Sequence, residues 1–118
     1  MLLKGGTWKG IRILLPQTVE ALTARHRVGL FDRTFRQTID WGLGFVINRA
    51  DEDGRSSYGH WPRASARAYG HSGYRSSTAF ADPERQLAIA ILLNGTPDEA
   101  SHLRRIRAIT IAIYDDLG

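Results

Sequence analysis

Residues 87–93, LAIAILL, are apolar without a break, and no other stretch constrains the fold as strongly. A run of this kind reads as a strand buried on both faces. Such a strand needs a cover on each side. Pro97 to Leu117 predicts a long helix that supplies one of them, with Leu103, Ile106, Ile109 or Thr110, Ile113 and Leu117 along its apolar stripe. For the other side the sequence offers only a short helix at Pro16–Ala24. The expected architecture is therefore α+β: an antiparallel sheet with a long C-terminal helix packed on one face, and with part of its cover missing.

The 118 residues allow one domain at most, and residues 1–118 are read as a single partial domain. Hydrophobic content of 42% and charged content of 24% fit an ordinary globular chain rather than a disordered one. No apolar run approaches the roughly 20 residues that span a bilayer, so no membrane span is expected. The opening Met1-Leu2-Leu3 is too short an apolar stretch for a secretory signal, and the compartment stays open. The absence of cysteine excludes disulfides, a thiolate nucleophile and cysteine-bound zinc. His26, His60 and His102 have no metal-ligand spacing and read as loop or helix-surface residues; no metal or cofactor is expected. The basic residues behind the net charge of +4 are scattered apart from Arg104, Arg105 and Arg107, which read as a solvated helix face, and the lack of aromatic interleaving argues against a nucleic-acid partner.

Other elements follow from local signals. Met1–Leu3 before Gly5-Gly6 reads as a helix end, and Thr7–Leu14 as a short hairpin turning at Lys9-Gly10. Arg25–Asp40 reads as a long loop. Trp41–Asn48 reads as one strand, with Trp41, Leu43, Phe45 and Ile47 on one face. Asp51–Gly54 predicts a turn and lacks the further ligands of a calcium loop. Arg55–Ala68 reads as another loop. Tyr74–Ala81 alternates as a strand, with Tyr74, Ser76, Thr78 and Phe80 on one face, and Asp82-Pro83-Glu84-Arg85 turns the chain into the apolar run. Thr96, Pro97 and Glu99 predict a capping box for the last helix. Thr96 also closes an Asn94-Gly95-Thr96 sequon, read as a strand end and helix cap. Trp8, Trp41 and Trp61 read as core or loop anchors.

The residues that carry chemistry lie at Gly70-His71-Ser72-Gly73-Tyr74. Neighbouring side chains of a strand point to opposite faces, so His71 is badly placed to deprotonate Ser72. A nucleophile elbow needs glycine where Tyr74 stands and a helix where a strand pattern follows.

The segment YGHSGYRSSTAFADPERQLAIAILLNG resembles the C-terminal signature of the serine β-lactamase-like hydrolases, which include class C β-lactamases, penicillin-binding carboxypeptidases and related esterases. In that family a strand carries Lys-Thr-Gly or a variant such as His-Ser-Gly. A hairpin with Asp-Pro-Glu at its turn follows, then an apolar strand ending in Asn, then a final helix. Here His71-Ser72-Gly73, Asp82-Pro83-Glu84, Leu87–Asn94 and the helix from Pro97 match in order. Upstream, MLLKGGTWKGIRILLPQTVEALT and WGLGF are similar to the family's helix end, Gly-rich turn, Pro-x-Thr-Val-Glu helix and Gly-Leu-Gly strand. Ser76, where relatives often have glycine, and Leu15, where a polar cap is usual, depart from the pattern.

The resemblance implies acyl transfer by a serine nucleophile. It also implies roles for particular residues. The backbone N–H of Tyr74 would serve the oxyanion hole, Gly73 would admit the substrate backbone, His71 would touch the substrate's polar end or the proton network, and Ser72 would be a substrate-facing or structural hydroxyl, not the nucleophile. A histidine in the lysine's place carries no fixed charge near neutral pH, which favours an ester or small peptide over a β-lactam carboxylate. The family's Ser-x-x-Lys and Tyr-x-Asn motifs are absent: the only lysines are Lys4 and Lys9, and no serine precedes them. The chain is thus expected to supply one wall of the site, inactive alone. The expected partners are a small acyl substrate in the complete enzyme, and either the missing N-terminal portion or a second copy at the uncovered sheet. A split hydrolase and a non-catalytic pairing module are the competing readings.

Overall fold

The structure, a computed structural model, describes residues 1–49 and 58–118. The Asp51–Gly54 turn and the start of the Arg55–Ala68 loop lie outside the described residues. A single 3-10 turn at Leu2–Lys4 ends at Gly5 in the left-handed conformation. Strands β1 (Thr7–Trp8) and β2 (Ile11–Arg12) form the expected hairpin, with both Lys9 and Gly10 at positive φ. Helix α1 (Pro16–Thr23) starts on its proline, with Leu15 giving no side-chain cap, and buries Val19.

The predicted long loop is partly ordered. β3 (Phe31–Asp32) pairs with β4 (Gln37–Thr38), and Asp32 closes the intervening turn by accepting from the Thr34 and Phe35 amides at 2.9 and 3.1 Å. The Phe35 amide is the main cause of the lowered Asp32 pKa, with Arg27 adding to it. Short strands held by one aspartate have too few residues to show a period, which is why the sequence hid them.

The expected Trp41–Asn48 strand is instead a tight hairpin. β5 (Asp40–Trp41) pairs with β6 (Val46–Ile47) across Gly42–Phe45. The chain reverses, so Leu43 is exposed at the tip while both Val46 and Ile47 are buried. β7 (Tyr69–Ser72), β8 (Ser77–Asp82) and β9 (Leu87–Leu92) complete one antiparallel sheet in the order β5-β6-β7-β8-β9. Tyr74 and Ser76 belong to the β7–β8 turn rather than to the strand; Thr78 and Phe80 do share the inner face.

Helix α2 (Glu99–Leu117) crosses that inner face. Its cap is Asp98, not Thr96: the carboxylate accepts from the Ser101 amide and hydroxyl at 2.9 and 2.6 Å. Those bonds hold Asp98 below the usual carboxylate range. A carboxylate placed to reach its own third neighbour outcompetes a threonine two residues earlier. The buried spine is His102, Ile106, Thr110 and Tyr114, a strict four-residue step. Ile109 and Ile113 flank it, and Leu117 is exposed. His102 is thus a buried residue, contrary to the expected surface role. Asp115, unfavourable at the helix C-terminus, meets Arg63 at 3.3 Å.

The apolar run itself corrects the expectation of two buried faces. Ile89 and Ile91 enter the core with Phe80, Trp61, Ile106 and Tyr114. Ala88 and Ala90 are exposed, and Leu92 is 83% exposed. β9 is also the edge strand. The face and edge demand cover, as their composition indicates, and within the described residues the cover is absent.

The stretch from Tyr58 to Ala68 has no strand or helix but is tightly held. Asn48 donates to the carbonyls of Trp61, Ala64 and Ser65 and accepts from the Trp61 amide. Trp61 stacks on Phe80 with centroids 4.7 Å apart, and its Nε1 donates to Thr78 Oγ1 at 3.0 Å. Of the three tryptophans only Trp61 is fully buried; Trp8 is exposed.

Candidate active-site wall

β7 delivers His71 and Ser72 to the sheet's end, and the turn after it carries Gly73, Tyr74 and Arg75. These residues line one cavity of about 450 Å³, together with Phe35, Tyr58, Glu99 and His102. The pairing of Ser72 with Thr78 and of His71 with Ala79 sets their opposite directions. Ser72 Oγ turns inward and donates to Thr78 Oγ1 at 3.0 Å. His71 is exposed on the other face. The two side chains do not form a nucleophile–base pair, as the strand geometry requires.

His71 is set in an aromatic nest that the sequence did not reveal. Phe35 stacks on Tyr58 at 4.2 Å, and both Tyr58 and Trp41 lie 5.8 Å from the His71 ring. The Tyr58 hydroxyl donates to the Ser72 carbonyl at 3.1 Å and lies 3.0 Å from His71 Nδ1. A hydroxyl has one proton to give. His71 Nδ1 lies 2.9 Å from the same carbonyl, so the hydroxyl and the ring compete for that acceptor, and the placing of the Tyr58 proton sets the His71 tautomer. Burial raises the Tyr58 pKa, so its proton stays in place across ordinary pH. Tyr58→Phe is expected to cost about 1 kcal/mol of stability. It should also change the tautomer balance of His71, read from ring nitrogen shifts.

The turn after β7 is fixed from both sides. The Gly73 amide donates to the Ser77 carbonyl at 2.9 Å. A Cβ at Gly73 would meet Ser77 Oγ at 2.3 Å, a clash that rotation of the serine side chain relieves, so the turn itself does not demand the glycine. Arg105 reaches from α2 to the Arg75 carbonyl at 2.7 Å and to those of Asn94 and Gly95 at 3.2 Å. Arg75 sits at φ 47, a strained value for a residue with a side chain. The Tyr74 side chain is 75% exposed, and the Arg75 guanidinium lies over its ring. Tyr58, Glu99, Arg75, Arg105 and His102 are the residues that the sequence reading missed here. Only Arg105 carried a signal, as part of the arginine cluster on the last helix, and that cluster reads equally as a solvated face.

A second cleft, of about 520 Å³, lies beside α1, lined by Val19, Glu20, Arg67 and Tyr69. It contains none of residues 71–74. Among the described residues no three His, Asp, Glu or Cys side chains converge as metal ligands do. Among them no helix is long and apolar enough to cross a membrane.

Comparison with known proteins places the fold. Over 94% of its length the chain is similar to a penicillin-binding protein homolog from Caulobacter crescentus, at 30% identity and a TM-score of 0.69. It shares the fold of a beta-lactamase from Mycobacterium bovis over 98% of its length, at 24% identity and a TM-score of 0.67. The likeness extends to EstA from Arthrobacter nitroguajacolicus Rue61a over 91% of the chain, at 22% identity and a TM-score of 0.51. The chain spans only 29%, 40% and 28% of these proteins respectively. No curated protein matches it. A family model for beta-lactamase matches residues 2–113, nearly the whole sequence, and the chain belongs to the beta-lactamase family, related to the serine hydrolases.

Proposed function

We propose that the chain forms one wall of an acyl-transfer site, for ester, amide or β-lactam bonds, and is inactive by itself. The observation that carries this reading is the convergence of His71, Ser72, Gly73 and Tyr74 on one cavity at the end of a braced strand. The Tyr74 N–H serves the oxyanion hole, where one well-aimed donor is worth about 3 kcal/mol in the transition state. His71 faces the substrate where the family's lysine often stands, a replacement that suits an ester or small peptide better than an anionic β-lactam. Ser72 is a structural hydroxyl of the wall, since its Oγ is engaged with Thr78. The serine nucleophile and its lysine come from another segment, because the sequence contains no Ser-x-x-Lys.

The purified chain is expected to hydrolyse neither p-nitrophenyl acetate nor nitrocefin above background. Adding a polypeptide with the Ser-x-x-Lys and Tyr-x-Asn motifs of a relative should produce turnover that Gly73→Val abolishes. Turnover by the chain alone would refute the reading.

The bare β9 edge and its Ala88, Ala90 and Leu92 face support a second reading, a non-catalytic pairing module. In it, the missing N-terminal portion of the domain or a second copy covers the sheet. Sedimentation of a well-folded monomer at high concentration would dismiss self-pairing.

A further inference from the structure

The cleft of about 520 Å³ beside α1 shares none of residues 71–74 with the acyl-binding wall. Its volume is in the range of clefts that take whole small molecules. Leu3, Val19, Ile47 and Pro83 give it apolar walls, and three charged side chains also line it: Glu20, Arg25 and Arg67. Arg25 is already spent. Its guanidinium meets Asp40 at 3.1 Å and donates to the carbonyls of Asn48 and Ala66 at 2.6 and 2.5 Å. Glu20 and Arg67 are exposed, and among the described residues neither side chain has an ion pair or a hydrogen bond. They line one space without neutralising each other. A ligand with a single sign of charge would be drawn by one of them and repelled by the other. A ligand that carries both signs is drawn by both. The planar fork of Arg67 fits a carboxylate, and the Glu20 carboxylate accepts from an ammonium. The apolar walls fit hydrocarbon side chains on the same molecule.

We propose that this cleft binds a short apolar peptide by its free ends, with the C-terminal carboxylate on Arg67 and the N-terminal ammonium on Glu20. The site is separate from the acyl-binding wall and does not depend on its chemistry.

The test is a titration of the chain with leucyl-leucine, with its N-acetyl form and with its C-terminal amide, followed by backbone amide resonances. Leucyl-leucine is expected to shift the Val19, Glu20 and Tyr69 amides. Acetylation and amidation each remove one charged end, and each should weaken binding about threefold, the share of one exposed ion pair. In Arg67→Ala the penalty for amidation should vanish while that for acetylation persists. In Glu20→Ala the pattern should reverse. The two analogues decide on the unaltered chain even without the variants. If the dipeptide shifts no amide of the cleft, or if both analogues bind as well as the parent, the proposal fails. Penalties that stay the same in both variants also sink it, because the charged ends would then be held elsewhere. The acyl-wall reading is tested separately by turnover and survives any of these results.

Discussion

Asp82→Ala is expected to lower the unfolding free energy by about 4 kcal/mol, as measured by urea denaturation. Asp82 is fully buried and is the joint of three parts of the molecule. Its carboxylate accepts from the Ser65 amide and hydroxyl at 2.9 and 2.7 Å, from the Tyr114 hydroxyl at 2.8 Å and from the Glu84 amide at 3.1 Å. Alanine would strand the Tyr114 hydroxyl and the Ser65 amide in the interior, and a buried orphan costs about 1–3 kcal/mol each. The mobile partner of the group, the Ser65 hydroxyl, can turn to water and softens the loss. Tyr114→Phe removes one donor without stranding a second and should cost only about 1 kcal/mol.

The same residue gives the chain part of its acid sensitivity. Burial alone would raise the Asp82 pKa, but the bonds from Ser65, Tyr114 and Glu84 outweigh it, and the folded value is lowered. A lowered folded pKa means stability that is present above the unfolded value, near 3.9. It drains away as the pH falls from there through the folded value. Asp82→Asn should therefore be less stable than the parent at neutral pH and lose less between about pH 4 and pH 2. A steeper acid loss in the variant would contradict this account.

The residues that could be read in advance were those whose local signals are self-contained. The Lys9-Gly10 hairpin, the Pro16 helix start, the β8–β9 hairpin and the last helix announce themselves by turn residues or period. β3 and β4 do not, because two-residue strands have no period and depend on Asp32 for their turn. The β5–β6 reversal was misread because Trp41, Leu43, Phe45 and Ile47 alternate across a bend. The cap of α2 moved because Asp98 and Thr96 both suit the role, and the bonds from Ser101 to the Asp98 carboxylate decide between them. The apolar run was read as buried on both faces from composition alone, whereas only Ile89 and Ile91 enter the core and Ala88, Ala90 and Leu92 are exposed. For the candidate site, the resemblance pointed to the strand and turn that line the cavity. It missed Tyr58 because that residue lies in a loop without period. It missed His102 because a histidine among arginines looks like surface until Thr110 and Tyr114 are seen to share its face.

Gly70→Ala is expected to be as damaging as the loss of Asp82, about 3 kcal/mol or more, and to strike the site directly. A Cβ on Gly70 would lie 2.2 Å from the Ala79 carbonyl oxygen and 2.6 Å from Phe80 Cα. Both are backbone atoms of the paired strand, so no rotamer change can make room. Either β7 lifts from β8 or the chain rearranges. Lifting breaks the Tyr69–Ser72 ladder and withdraws Phe80 from its stack on Trp61. It also drags His71 and Ser72 away from the Tyr58 hydroxyl, two residues or fewer along the strand. The variant should thus lose stability and shift the His71 ring resonances together. Gly5→Ala is the informative comparison, since Gly5 has a positive φ but open space around its missing Cβ. Strain without collision costs only about 1 kcal/mol and leaves the cavity untouched. Equal losses in the two variants would mean that the β7–β8 approach is looser than these distances require, and that the wall is not held by its glycine.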